Sequence, residues 1–142
     1  MTRETIYSAL FDKIGAAAPF VTASRRLRHW QDVGPSEQPA LFMAQRNEVV
    51  EMKPGMNPVT TLHVDVYLYA RTNNPDKSPG QILNPLLDAV VATLGTPDSP
   101  TTNKLTLGGL VQHCWIEGTI ETDEGVLGDQ GVVIVPVAIK TA

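Results

Sequence analysis

The stretch "TTLHVDVYLYAR", Thr60 to Arg71, decides how the rest of the chain is read. Leu62, Val64, Val66, Leu68 and Ala70 fall on one side of an extended chain, and Thr61, His63, Asp65, Tyr67 and Tyr69 on the other. Side chains of a strand alternate between faces, so the pattern is that of a β-strand with its first set in a core. Such a strand needs partners beside it and a layer over its apolar face.

Upstream, "FVTASRRLRH" alternates in the same way. Val21, Ala23, Arg25 and Leu27 oppose Thr22, Ser24, Arg26 and Arg28, which predicts a strand with a polar second face. "WQDVGPSEQ" is turn chemistry, "PALFMAQRNE" a second strand, and "EVVEMKPGMNPVT" a strand end, a Pro-Gly turn and a return. Downstream, "LVQHCWIEGTIET" reads as one long strand, "DEGVLGDQG" as an exposed loop and "VVIVPVAIK" as a final strand. That last strand is apolar on both faces and so is central or covered, while Pro136, with no N–H to donate, favours an edge or a bulge.

Two helices supply the covering layer. Residues 3 to about 17 carry Ile6, Leu10, Phe11 and Ile14 at helical spacing, with Thr2 as cap and Pro19 ending the helix. The second is expected to start at Asn84 and Pro85, to bury Leu86, Leu87, Val90, Val91 and Leu94, and to stop at Gly95. A turn of helix can precede Pro85, but a straight helix running through it is not expected. "RTNNPDKSPG" and "GTPDSPTTNK" are connections. The fold class is α+β: one domain over residues 1–142, with a mixed or antiparallel sheet of five to six strands and two helices packed on one face.

The 142 residues suffice for one core. Net charge is −4, so the molecule as a whole is not drawn to nucleic acid. Residues 1–71 hold eight Lys/Arg against seven Asp/Glu, whereas residues 72–142 hold three against eight. The single cysteine, Cys114, excludes an internal disulfide framework and fits a reducing compartment. Charges at Arg3, Glu4, Asp12 and Lys13 make the N-terminal segment neither a signal peptide nor a membrane span, so a soluble protein made in the cytoplasm is expected.

No motif for catalysis stands out. His29, His63 and His113 lie 34 and 50 residues apart without metal-ligand pairing, so no metal and no cofactor are implied. Cys114 on a strand points away from His113, which favours a buried thiol over a nucleophile. Glu117, Glu121, Asp123, Glu124 and Asp129 could hold an acid–base pair, but a solvated acidic hairpin is the simpler reading. The segment "SRRLRHW" concentrates Arg25, Arg26, Arg28 and Trp30, residue types that serve protein interfaces as well as nucleic acids. An interface between subunits is favoured over nucleic acid, with intramolecular salt bridges close behind.

The ordered set "RETIYSALFDKI", "VTASRRLRHW", "EQPALFMAQ", "LHVDVYLYAR", "ILNPLLDAVVATL" and "LGGLVQHCWIEGTIETDEGVLGDQGVVIVPV" resembles the tail-terminator, or tail-completion, proteins of bacteriophages with long non-contractile tails (siphophages). The resemblance spans nearly the whole chain. It implies a structural protein of virion assembly, not an enzyme, that forms a homo-hexameric ring on the head-proximal end of the tail tube. The ring would stop tube polymerisation and offer a docking surface for the head.

The partners implied are further copies of the chain, the tail-tube protein, a head-completion or neck protein and the end of the tape-measure protein. DNA would pass through the ring without specific binding, and no membrane is involved. The protein would be made in the host cytoplasm and reside in the virion tail. On this reading Arg25, Arg26, Arg28 and Trp30 are subunit-interface residues, while Glu121, Asp123, Glu124 and Asp129 face the lumen or the tube. The alternatives are another neck or tail-tube ring component, a small cytoplasmic enzyme using the acidic cluster, or a nucleic-acid binder using the arginines.

Overall fold

A computed structural model describes residues 2–124 and 128–141. Helix α1 spans Arg3–Gly15 and α2 Pro79–Leu94. The strands are β1 (Thr22–Ser24), β2 (Ala40–Glu51), β3 (Val59–Arg71), β4 (His113–Ile116), β5 (Glu121–Asp123) and β6 (Gln130–Lys140). They form one six-stranded sheet in the order β1-β2-β3-β6-β4, with β5 also paired to β6. Only the β1–β2 pairing is parallel. The α+β reading, with a mixed sheet and two helices on one face, holds.

The alternation of β3 fixes the core. Leu62, Val64, Val66, Leu68 and Ala70 are buried with Leu41 and Met43 of β2 and Val133, Val135, Val137 and Ile139 of β6. Ile6, Leu10 and Ile14 of α1 and Leu83, Leu86, Val90 and Leu94 of α2 close over them, which defines the helix face of the sheet. The opposite face is covered only at one end. There, single 3-10 turns at Trp30–Asp32 and Pro35–Glu37 lay Val33 and Trp30 over Ala40, Phe42 and Tyr69. Among the described residues, the remainder of that face carries no helix or strand of its own; we call it the bare face.

Several expected boundaries shift. The first strand stops at Ser24 instead of running to His29, because the Ser24 hydroxyl accepts the Arg26 N–H at 3.0 Å and bends the chain. Thr2 occupies the N-cap position of α1 without a side-chain bond. Helix α2 begins at Pro79, not Pro85: the Gln81 side chain accepts the Ser78 N–H at 2.8 Å, and Pro79 suits the first turn. Pro85 is carried inside it on the exposed side, where water can satisfy the carbonyl it leaves free. Val91, expected in the core, is exposed.

The long strand expected from Leu110 to Thr122 is broken into β4 and β5. Gly118 sits at φ +116, a conformation that side chains disfavour, and the chain steps out of the sheet there. The same break explains Pro136. β6 is central, and Pro136 pairs with Asp65 on the β3 side. Its carbonyl points the other way, accepting the Glu117 N–H at 3.2 Å, so its missing donor falls in the gap between β4 and β5.

The connection after α2 is built around Asp98. Its carboxylate accepts the Thr106 N–H at 2.6 Å, the Thr106 hydroxyl at 2.8 Å and the Gly108 N–H at 2.9 Å. Partial burial pushes this carboxyl up, but the three donors outweigh it and hold it at about 2. The turn they fix carries Leu105, Leu107 and Val111 into the core, which the sequence pattern did not reveal.

Candidate functional site

Among the described residues, two kinds of surface are left without a partner. The first is the β2–β3 hairpin. Every residue from Gln45 to Pro58 is exposed; up to Glu48, β2 lies beside the buried Val64 and Leu62 of β3. From Val49 to Pro58 the hairpin forms an arm at and beyond the last β3–β6 pair, Thr61 with Lys140. Its apolar residues are open to water: Val49 is 44%, Val50 62%, Met52 72% and Met56 63% exposed. Contiguous exposed apolar side chains on a projecting element mark a contact surface. The arm is braced at its root, where Arg3 of α1 forks onto Glu48 with bonds of 2.6 and 3.0 Å. That fork holds the Glu48 carboxyl below the usual carboxylate range.

The second is the bare face. Tyr67, Val132 and Ile134 form a half-buried apolar floor beside the buried Pro136. Grooves over this floor are rimmed by Asp65, Glu117 and Glu121 on one side and by Leu27, His29 and Trp30 on the other. Arg46 reaches Asp65 at 3.9 Å, leaving the rim acidic on balance.

The arginine-rich segment is largely used within the chain. Arg25 ion-pairs with Glu4 of α1 and lies 5.6 Å over the Tyr7 ring. Arg28 holds Glu37 at 3.1 Å and lies 5.8 Å over the Phe42 ring, while the Tyr69 hydroxyl donates to its carbonyl at 2.8 Å. The Trp30 carbonyl accepts from Gln130 Nε2 at 3.2 Å, which pins the turn over the sheet. Intramolecular pairing, the bland reading of this segment, therefore accounts for Arg25 and Arg28. Arg26 is exposed, and its guanidinium makes no ion pair among the described residues.

The acidic residues do not gather into one cluster. Glu121 and Asp123 lie on the bare face of β5, opposite Ile134 and Val132. Glu124 turns to the other side, its carboxylate packed against Gly80 in the first turn of α2. Asp129 meets Arg71 at 3.6 Å. Residues 125–127 of the expected loop lie outside the described residues.

Cys114 is fully buried in the core, and burial pushes its thiol up to about 12. His113 lies on the opposite side of β4, stacked on Trp115 with ring centroids 4.8 Å apart. Among the described residues no group of three His, Cys, Asp or Glu side chains could hold a metal ion. No helix among them is long and apolar enough to cross a membrane. No protein-family model matches the chain, and no curated protein matches it.

Proposed function

We propose that the protein is a phage tail terminator: a ring of copies that caps the head-proximal end of the tail tube. The observation that carries this reading is the projecting arm with Val49, Val50, Met52 and Met56 in water. A cap needs contacts in two directions, sideways to close a ring and along the axis to cover the last tube ring. The arm extends along the strand direction, whereas the sheet's edges lie across it, so the two sets of contacts fall on different parts of the molecule. The sequence resemblance supports the same reading.

On this account the arm seats on the tail-tube protein and stops further addition. The bare face lines the channel, where Asp65, Glu117, Glu121 and Asp123 repel passing phosphate. Glu124, packed against Gly80 of α2, and Asp129, paired with Arg71, are left out of this lining. Lysine at both Glu121 and Asp123 should slow DNA ejection while tails still assemble; normal infectivity would remove the lumen assignment. Electron microscopy of the purified protein mixed with tail tubes tests the function itself. Rings seated on one tube end support the cap, whereas long tubes of this protein alone would make it a tube subunit.

A further inference from the structure

The two edges of the sheet match each other. β1 and β5 are both three residues long, and each has one side unpaired among the described residues. Thr22 directs its N–H to Pro39 on the β2 side, so the N–H and C=O of Ala23 point outward. On the opposite edge, Pro136 and Lys140 of β6 direct their carbonyls toward the β4–β5 side. Ile134 and Val132 have the same parity, so their partners Glu121 and Asp123 are turned inward and Thr122 presents its N–H and C=O outward. Each edge thus offers, at the centre of its strand, one exposed residue whose main-chain groups point outward with no partner among the described residues.

We propose that successive copies join head to tail by pairing β1 of one with β5 of the next, antiparallel, with Ala23 opposite Thr122. This rests on the ring reading above and names the surfaces that close the ring. Within a copy β1 and β5 run in opposite senses. Rotation about an axis along the strands preserves each sense, so the edges of neighbouring copies meet antiparallel.

The register also keeps the faces continuous. Ser24 and Thr22 lie on the bare face with Phe42 and Ala40, as Glu121 and Asp123 do with Ile134 and Val132. Ala23 and Thr122 lie on the helix face beside Leu41 and Val133. Charge agrees too. Arg26, exposed just past the end of β1 and in no ion pair among the described residues, lies beside the edge that Glu121 would meet. Because the two edges differ, the contact is heterologous, and closing the ring covers the outer sides of β1 and β5.

Paired cysteines in the full chain test the register. Ser24 and Glu121 would form a non-hydrogen-bonded pair with Cα atoms about 4.5 Å apart, within disulfide reach. Cys114 is buried and does not compete. Oxidised S24C/E121C should give a ladder of linked copies up to the closed ring on a non-reducing gel, while S24C/E117C should not.

A ring by native mass without the ladder, or an equal ladder from both pairs, overturns the edge pairing but leaves the ring reading standing. A chain that neither forms rings nor alters tail length when deleted removes both. Should the cysteine variants misfold, charge exchange serves instead. Arg26→Glu should raise the concentration for half-assembly on the order of tenfold, and adding Glu121→Arg should restore it. Absence of that rescue counts against the pairing.

Discussion

The arm can be disabled without touching the fold. Val50→Asp with Met52→Asp places two charges where the side chains are 62% and 72% exposed, so the isolated chain loses little. Surface changes of this kind usually stay within about 0.5 kcal/mol, and the unfolding midpoint should be unchanged. Docking is another matter. Fully burying a Val or Met side chain is worth about 1.5–3 kcal/mol, and most of each surface is still open here. Burial against a tube would therefore contribute about 1–2 kcal/mol per residue. Losing both amounts to about 2–4 kcal/mol, or roughly 30- to 700-fold in affinity, before the cost of desolvating the aspartates.

The assay is binding of the folded variant to purified tubes, with circular dichroism to verify the fold. Tube affinity within threefold of the parent would refute the argument that the arm is the axial contact. A drop in thermal stability equal to the loss in binding would show instead that the arm supports the fold.

Other outcomes follow from the core and its loops. Cys114 should react with a thiol reagent at pH 8 on the order of a thousandfold more slowly than a free cysteine and at the ordinary rate once unfolded, because burial holds its thiol near 12; rapid labelling of native protein would contradict its placement. Asp98→Ala should cost about 1 kcal/mol near neutrality, after allowing for solvent screening. The Asp98 carboxyl is lower in the folded state than its ordinary 3.8, so its stabilisation is present above that value and lost as pH falls through about 2. Urea midpoints of parent and variant should thus converge in acid. Gly131→Ala places a methyl carbon 2.7 Å from Leu83 Cδ1 and 2.8 Å from Pro79 Cβ, an overpacking worth about 1–3 kcal/mol that chemical denaturation would measure.

What could be read from the residues depended on how local the cause was. β3 and α1 were legible because their periodicity reports the face they bury. β6 was legible as central or covered because it is apolar on both faces, while Pro136 pointed toward an edge or a bulge. The start of α2 was missed because Asn84-Pro85 imitates a helix start, while the working signal was Ser78 with Gln81 three residues later. The break between β4 and β5 had one local mark, Gly118 in "WIEGTI", outweighed by the alternation around it. The role of Asp98 in carrying Leu105 and Leu107 inward depends on contacts eight to ten residues away, which no periodicity records.

The candidate surfaces divide in the same way. That Arg25 and Arg28 are held by Glu4 and Glu37 could be named only as an alternative, since their partners lie 21 and nine residues off. Scattering of the acidic residues follows in part from the break at Gly118, so sequence proximity overstated their association. The arm was visible as a hairpin, but its projection depends on where the β3–β6 pairing ends. Val49 and Val50 look like core residues in the sequence, and only the absence of a covering layer turns them into a docking surface.

Tail length in a lysate from which this gene has been deleted tests the central claim most directly. A terminator predicts overlong, irregular tails without heads under the electron microscope, corrected when the parent chain is supplied and not when V50D/M52D is. Tails of normal length would contradict the capping role.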